Sequence, residues 1–185
     1  MNAEITGSYL LTGHDGAYAV ERFACGDTAA GWGYAATRHE PASGALLGRI
    51  ELTTTRLHVE AGGWVLRAGT LGSRVLWRRG EREGEAVAVG LTGTSPAYDV
   101  ALIRLFGLAV GEQRRVRLLA VTEPVLATRL VDEQWHRTAT DRYEAIDLAT
   151  GEGRWRQLDA DLVVAGAGLT LTRLGSGLLG YRWRS

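Results

Sequence analysis

A chain of 185 residues, of which 45% are hydrophobic and 23% charged, has the balance of a folded protein, so disorder is excluded and one domain over residues 1–185 is expected. Its 21 basic residues, all of them arginine, equal its 21 acidic residues, so no net charge draws the molecule to nucleic acid or to an anionic surface. With one cysteine, Cys25, and four scattered histidines, we expect no disulfide, no metal site and no cofactor.

The N-terminus begins Met1-Asn2-Ala3-Glu4 and lacks the basic start, apolar run and cleavage site of a secretory signal. The longest apolar runs in the chain are far shorter than the roughly 20 residues that span a bilayer. We therefore expect neither a signal peptide nor a membrane-spanning segment, and we expect a cytoplasmic protein.

Apolar and β-branched segments bounded by glycine, aspartate, asparagine or proline follow one another along the chain, which is typical of antiparallel strands joined by tight turns. Turns are predicted at residues 13–16, 41–44, 61–63, 80–84 and 150–153. At least ten strands are predicted between them, and five are spaced as in a meander: residues 45–52, 55–60, 64–68, 73–79 and 86–91. In residues 115–118 and 154–158 every second side chain is expected to be apolar and to face a common interior.

A flat sheet with this many strands would leave long unpaired edges, so the sheet must curl, split or close. Glycines inside strand-like segments, such as Gly31, Gly33 and Gly48, favour bends and bulges that permit strong curvature. The sequence therefore predicts an all-β fold, in which a single, many-stranded, mostly antiparallel sheet curls into a spiral β-roll or a barrel.

Residues 95–106 interrupt this β pattern. Ser95-Pro96 is a typical helix start. Three apolar residues then recur at helical spacing: Leu102, Leu105 and Phe106. We predict one short helix or packed loop near residues 96–106, lying across a barrel mouth or along the inside of the curved sheet.

The tryptophans are the first candidates for a ligand site. Six of them lie in six different strand-like segments: Trp32, Trp64, Trp77, Trp135, Trp155 and Trp183. A curled sheet could gather several on its concave face, where aromatic rings suit an apolar ligand or a sugar ring. The alternative is that they fill the core.

Catalytic signatures are weak. No serine or cysteine has the context of an activated nucleophile, and the histidines are isolated from one another: His14, His39, His58 and His136. Asp159 and Asp161 could bind a cation or act as an acid/base pair, but a solvated hairpin turn is the favoured interpretation because the oxygen ligands of a calcium loop are missing. Gly166-Ala167-Gly168 lacks the lysine and the helix of a phosphate loop and is expected to mark a bend.

From Ser95 onward a series of landmarks occurs in a fixed order: Ser95-Pro96, Asp99, Ile103-Arg104, Gly111-Glu112 and Glu133-Gln134. With these landmarks the chain resembles a family of bacterial proteins named for glycolipid binding. Residues 159–164 and Arg173 are similar to the closing hairpin of that family, so the resemblance covers about half the chain. Asp99 replaces an asparagine and Leu102 a proline, which makes the chain a divergent relative. The resemblance implies a many-stranded rolled sheet or barrel like that of lipid carriers.

Arg104 follows an apolar stretch and is predicted to be buried. A buried guanidinium needs a carboxylate partner, because an unpaired buried charge is very costly. Asp99 or Glu133 could supply that partner.

The leading functional hypothesis is a non-catalytic binding protein with an apolar cavity inside the rolled sheet for a lipid, a glycolipid or a similar amphiphile. The ligand is expected to contact seven residues: Trp64, Trp77, Tyr98, Asp99, Arg104, Glu133 and Trp135. One alternative is a small barrel enzyme that uses Asp159, Asp161 or a histidine. The other is a structural or interaction module with a filled core, for instance a homodimer joined through sheet edges or an apolar patch.

Overall fold

The computed structural model describes residues 4–13, 16–29, 31–160 and 162–176, in which fifteen strands form one sheet around one helix. The first eight strands are β1 (Ile5–Gly13), β2 (Gly16–Thr28), β3 (Gly31–His39), β4 (Leu46–Thr53), β5 (Arg56–Ala61), β6 (Trp64–Leu71), β7 (Arg74–Arg79) and β8 (Arg82–Val87). The others are β9 (Gly90–Thr92), β10 (Gln113–Thr122), β11 (Ala127–Arg137), β12 (Arg142–Asp147), β13 (Gly153–Asp159), β14 (Leu162–Gly166) and β15 (Leu169–Ser176), with helix α1 (Pro96–Phe106) between β9 and β10.

The strand order shows that the sheet is rolled. From one edge to the other the order is β8 back to β1, then β15 back to β9, and all neighbours are antiparallel except β9 and β10. The edge strands β8 and β9 are nonetheless separated by only Ala88 and Val89 in the chain, a step of about 10 Å. A flat sheet of this order would be about 65 Å wide. The sheet therefore curls until its two edges approach each other without closing, which confirms the predicted all-β curled sheet.

One part of the predicted meander is wrong. The sequence predicted a turn over residues 80–84 and a strand over 86–91. In the structure β8 already begins at Arg82, and after Val87 the chain passes from one edge of the sheet to the other. Gly84 is a strand residue whose missing side chain makes room for a ring, since a Cβ there would lie 2.6 Å from the Trp77 ring.

Helix α1 begins and ends with ordinary capping groups. The Ser95 side chain accepts a hydrogen bond from the Ala97 amide (3.2 Å), and Gly107 ends the helix in a left-handed conformation, with φ 56°. Nine of its eleven residues are buried, and the two exposed ones, Arg104 and Leu105, lie in its last turn. It contacts β4 in the first half of the sheet and β9 and β14 in the second, so it occupies the interior of the roll.

The buried apolar side chains form one cluster that spans both halves of the sheet and includes the helix. Tyr9, Phe23 and Tyr34 stack in series, with ring centroids 4.7 and 5.5 Å apart. Within the described ranges, no helix combines the length and the hydropathy that a bilayer crossing requires.

Candidate ligand-binding site

A pocket of about 760 Å³ opens at one mouth of the roll. Its walls come from β2, β4, β5 and β6 and from the turn between β10 and β11. Gly62, in the β5–β6 turn, allows the two halves to meet here: its φ is +55°, and a Cβ would lie 2.7 Å from the Pro124 carbonyl oxygen. Several large apolar or aromatic side chains line the pocket: Tyr18, Leu46, Leu47, Trp64, Val65 and Pro124.

Arg38 and Glu123 provide polar groups at the base of this apolar pocket, and they form an ion pair. The Arg38 side chain is only 5% exposed. Its Nε donates to Glu21 Oε2 (2.7 Å) and its Nη1 donates to Thr94 Oγ1 (3.0 Å). Among the described residues, its Nη2 has no hydrogen-bond partner. A buried donor without a partner is rare and calls for a physical explanation.

Glu21 binds Arg38 and connects it to helix α1. Its carboxylate is completely buried. It accepts hydrogen bonds from the Tyr34 hydroxyl and from Ser95 Oγ (2.7 Å), in addition to Arg38. Burial alone would lower the pKa of the Arg38 guanidinium, but Glu21 and Glu123 raise it above its ordinary value. Arg38 therefore stays charged, and its position is fixed before any ligand arrives.

Tyr98, on helix α1, is buried with its ring against Gly93, where a Cβ would lie 2.5 Å from the ring. Its hydroxyl also has no hydrogen-bond partner among the described residues. Burial, and next the charge of Glu123, raise the pKa of this hydroxyl above its ordinary value. Tyr98 thus remains a neutral donor within the electrostatic reach of Glu123.

A second charged network fixes the other side of helix α1. Asp99 accepts hydrogen bonds from Arg154 Nε (3.1 Å) and Arg156 Nε (2.6 Å). Glu133 binds Arg154 through two hydrogen bonds (2.9 and 3.0 Å) and accepts another from Trp135 Nε1 (2.9 Å). Because these groups bind one another, we assign the network to holding the helix rather than to binding a ligand.

This network corrects the predicted role of Arg104. Asp99 and Glu133 do pair with arginines, but with Arg154 and Arg156 rather than with Arg104. The Arg104 side chain is 33% exposed, and its Nη2 lies 3.8 Å from Asp27 Oδ1. Asp99 and Arg104 are five residues apart, about 140° around the helix axis, so α1 turns Asp99 inward and Arg104 outward.

In β13, which carries Arg154 and Arg156, the alternation predicted for residues 154–158 is wrong. Arg156 and Leu158 are buried, so the face of β13 that carries the arginines points inward. Trp155 is half-buried, and the Arg142 guanidinium lies 4.9 Å from the centre of its ring. In residues 115–118 the prediction is confirmed, because Val116 and Leu118 are buried between exposed arginines.

Of the seven predicted ligand residues, Trp64 alone lines the mouth pocket. Trp77 packs over Gly84, and Trp135 is a core residue, as is Trp32. Trp183 lies outside the described residues. Trp32, Trp77 and Trp135 therefore contribute to the core of the roll, which is the alternative that the sequence left open.

The residues considered for catalysis do not converge. His39 binds the Gly44 carbonyl and Thr37, whereas His58 binds Glu60. Asp159 is exposed at the end of β13, next to Ala160, which has a φ of 50° in the turn. His14 and Asp161 lie outside the described residues. Within the described ranges, no group of three or more possible ligands could hold a metal ion.

Three residues of this site were not predicted from the sequence: Glu21, Arg38 and Glu123. A signal for the first two does exist: Glu21 follows Ala19 and precedes Phe23 and Cys25 on the buried face of β2, and Arg38 continues the buried face of β3. A charged residue at an inward position of an alternating strand indicates a buried ion pair. Nothing in the sequence around Glu123 distinguishes it.

No protein-family model matches the chain, and no curated protein matches it. Among solved structures, it is similar to the crystal structure of a DUF1089 family protein from Pseudomonas aeruginosa, with a TM-score of 0.52 and 20% sequence identity over 91% of each chain. A similarity at this identity establishes the fold, and the name of that protein states neither a ligand nor a reaction.

Proposed function

We propose that the protein is a non-catalytic binding protein that takes one lipid, glycolipid or similar amphiphile into the mouth pocket. The observation that carries the proposal is an apolar-walled pocket that is also lined by a prepositioned ion pair between the buried Arg38 and the partly buried Glu123. Its volume of about 760 Å³ falls in the range of about 300–1,000 Å³ that is usual for small-molecule sites.

The walls suit a hydrocarbon chain. Leu46, Trp64 and Val65 are 51, 45 and 40% exposed, so a chain lying against them would remove apolar surface from water on both partners. Each buried methylene contributes about 0.8 kcal/mol. The apolar walls therefore supply affinity without requiring a particular chain length.

The polar groups suit an uncharged head. The Glu123 carboxylate is an acceptor that pairs with Arg38 Nη1, and among the described residues the buried Nη2 of the same guanidinium is a donor without a partner. A hydroxyl group both donates and accepts, so it matches this pair. An anionic headgroup would be repelled by the negative charges of Glu123 and Glu21. A quaternary ammonium headgroup would be repelled by Arg38 and has no proton to donate. The resemblance to a family named for glycolipid binding supports the same class of head.

The interior of the roll is not where we place the ligand. The sequence predicted a cavity inside the sheet, but helix α1 and the core around it occupy that space. This filling favours the second candidate, an interaction module with a filled core. The two candidates differ in whether the mouth pocket takes a soluble amphiphile.

Titration of the purified protein with n-octyl glucoside below its critical micelle concentration, followed by calorimetry and native mass spectrometry, tests the proposal. We expect one bound molecule. Leu46→Glu at the pocket wall should weaken binding at least about tenfold, because a buried leucine contact contributes about 1.5–3 kcal/mol.

Leu71→Glu is the matched control, since Leu71 is 73% exposed in β6 and does not line the pocket. It should bind n-octyl glucoside as the wild type does. Equal loss of binding in both variants, or failure of the wild type to bind any alkyl glucoside, would exclude the mouth pocket as an amphiphile site and leave the interaction module.

A further inference from the structure

A second pocket, with a volume of about 320 Å³, lies beside the mouth pocket and shares a wall with it. Thr94 lines both pockets, and Thr122, which lines the second, is followed in the chain by Glu123, which lines the first. The other walls of the second pocket come from strands β9 to β13. We call this second pocket the polar cleft. Its volume is at the small end of the range that is usual for ligand sites.

The polar cleft differs from the mouth pocket in the chemistry of its side chains. Three of its lining residues are threonines: Thr92, Thr94 and Thr122. Five are charged, two as guanidiniums and three as carboxylates: Arg129, Arg154, Glu133, Asp147 and Glu152. These charges nearly cancel, so the cleft does not select an ion. A neutral group with several hydroxyls matches it, because each hydroxyl both donates and accepts hydrogen bonds.

Only some of these polar groups are already paired within the protein. Glu133 and Arg154 bind each other in the network that holds helix α1. Arg129 and Glu152 are exposed, and within the described ranges their side chains form no hydrogen bond and no ion pair. A ligand in the cleft can therefore bind one strong donor and one strong acceptor without breaking a contact of the fold.

The wall between the two pockets contains donors that have no partner. Thr94 Oγ1 accepts a hydrogen bond from Arg38 Nη1 (3.0 Å), and a hydroxyl that accepts one hydrogen bond can still donate another. The Tyr98 ring packs against Gly93, which lines the polar cleft. The Tyr98 hydroxyl and Arg38 Nη2 are both buried without a hydrogen-bond partner among the described residues. Two such donors beside one wall point to an acceptor oxygen that a ligand supplies there.

We propose that the mouth pocket and the polar cleft form one site for an amphiphile whose head has at least two linked sugar rings. The hydrocarbon chain lies in the mouth pocket, the first ring lies at Arg38 and Glu123, and the second ring passes Thr94 into the polar cleft. This inference rests on the proposed function for the position of the chain and goes beyond it in the size of the head. A head with one ring would leave Arg129 and Glu152 without a ligand contact.

A comparison of n-octyl maltoside with n-octyl glucoside tests the inference, because the two carry the same chain and differ by one glucose ring. Both are titrated into the purified protein below their critical micelle concentrations and followed by calorimetry. We expect the maltoside to bind at least about tenfold more tightly, since hydrogen bonds to charged groups are stronger than those between neutral groups. Equal affinities for the two amphiphiles would overturn the two-ring head.

Arg129→Ala and Glu152→Ala should each weaken maltoside binding at least about threefold and leave glucoside binding unchanged, because both residues line the polar cleft and neither lines the mouth pocket. Glu83→Ala is the matched control, since Glu83 is an exposed glutamate of β8 that lines neither pocket. Maltoside binding that both cleft variants leave intact, or that Glu83→Ala weakens equally, contradicts the proposal.

Free maltose, which has the head without the chain, separates this inference from the proposed function. At millimolar concentration it should bind weakly, and Glu152→Ala should abolish that binding whereas Leu46→Glu should not. Maltose binding of this kind without binding of either amphiphile would overturn the proposed function and leave the polar cleft as a sugar site. Glucoside binding that Leu46→Glu weakens, together with no gain from the second ring, would overturn the two-ring head alone. Binding of none of the three compounds would overturn both.

Discussion

Two buried carboxylates, Glu21 and Asp99, anchor helix α1 to opposite halves of the roll. Glu21 lies on β2 and holds the N-terminal cap Ser95 together with Arg38. Asp99 lies on the helix itself and holds Arg154 and Arg156 on β13. Breaking a buried pair by removing one partner leaves an unpaired buried charge, which costs about 3–5 kcal/mol. The position of the helix therefore depends on both carboxylates.

The Asp99→Asn variant, studied at neutral pH, tests how much the Asp99 carboxylate contributes to the stability of the fold. The amide cannot neutralise two guanidiniums, so we expect the free energy of unfolding to fall by about 3–5 kcal/mol in a urea titration. Asp132→Asn is the control, because Asp132 forms its ion pair with Arg117 at the surface and its substitution should leave the unfolding midpoint almost unchanged.

The loss of stability in Asp99→Asn should depend on pH, in a direction that follows from the pKa of Asp99. Burial alone would raise the pKa of Asp99, but Arg154 and Arg156 lower it below its ordinary value of 3.8. A carboxylate with a lowered pKa in the folded state stabilises the fold above its unfolded pKa and loses that contribution as the pH falls through the folded value. The difference between wild type and Asp99→Asn should therefore shrink below about pH 4. A difference that grows in acid would contradict the assignment.

The sequence identified two of the buried carboxylates, Asp99 and Glu133, but it missed Glu21 and did not reveal which arginines these carboxylates bind. Asp99 and Glu133 were identified from landmark positions, and both prove to be paired and buried. Their partners lie 55 and 21 residues away in the chain, on a strand whose inward face was assigned wrongly. A pairing between distant strands depends on register, and a shift of one residue reverses both faces of a strand.

Glycine residues in the strands allow neighbouring groups to pack closely against the backbone. Gly84 in β8 is the clearest case, because the Trp77 ring lies directly on it and a Cβ would be 2.6 Å from a ring atom. Gly69 in β6 has its nearest neighbouring atom 3.7 Å from the Cβ position. The two glycines thus form a matched pair in neighbouring hairpins.

Gly84→Ala should displace Trp77 and destabilise the protein by about 1–3 kcal/mol, the usual cost of overpacking. Gly69→Ala should be neutral or slightly stabilising, because an alanine costs less conformational entropy there than a glycine. Thermal unfolding monitored by circular dichroism compares the two. Equal melting temperatures would show that Trp77 can move aside without loss.

Secondary structure was well predicted where pattern and turn residues agree. The meander from residue 45 to 79 and the helix near residues 96–106 follow from alternation, glycine turns and the Ser95-Pro96 start. The β8 strand was missed because Gly84 resembles a turn residue, and only the Trp77 ring across the hairpin explains its presence. Local propensity cannot reveal such a contact.

For the whole molecule, the rolled sheet was predictable and the position of the site was not. A sheet of so many strands has to curl, whatever its register. The mouth pocket, in contrast, is assembled from the β5–β6 turn of one half and the β10–β11 turn of the other, which meet at Gly62 and Pro124. Only the complete roll brings these two turns together.

A crystal structure of the protein with an alkyl glucoside brominated at the end of its chain would show whether the mouth pocket takes an amphiphile, because anomalous scattering locates the bromine. We expect the bromine to lie against Leu46, Trp64 and Pro124, with the sugar hydroxyls on Arg38 and Glu123. Bromine in the interior beside helix α1, or anywhere else outside the mouth pocket, would show that the ligand binds elsewhere.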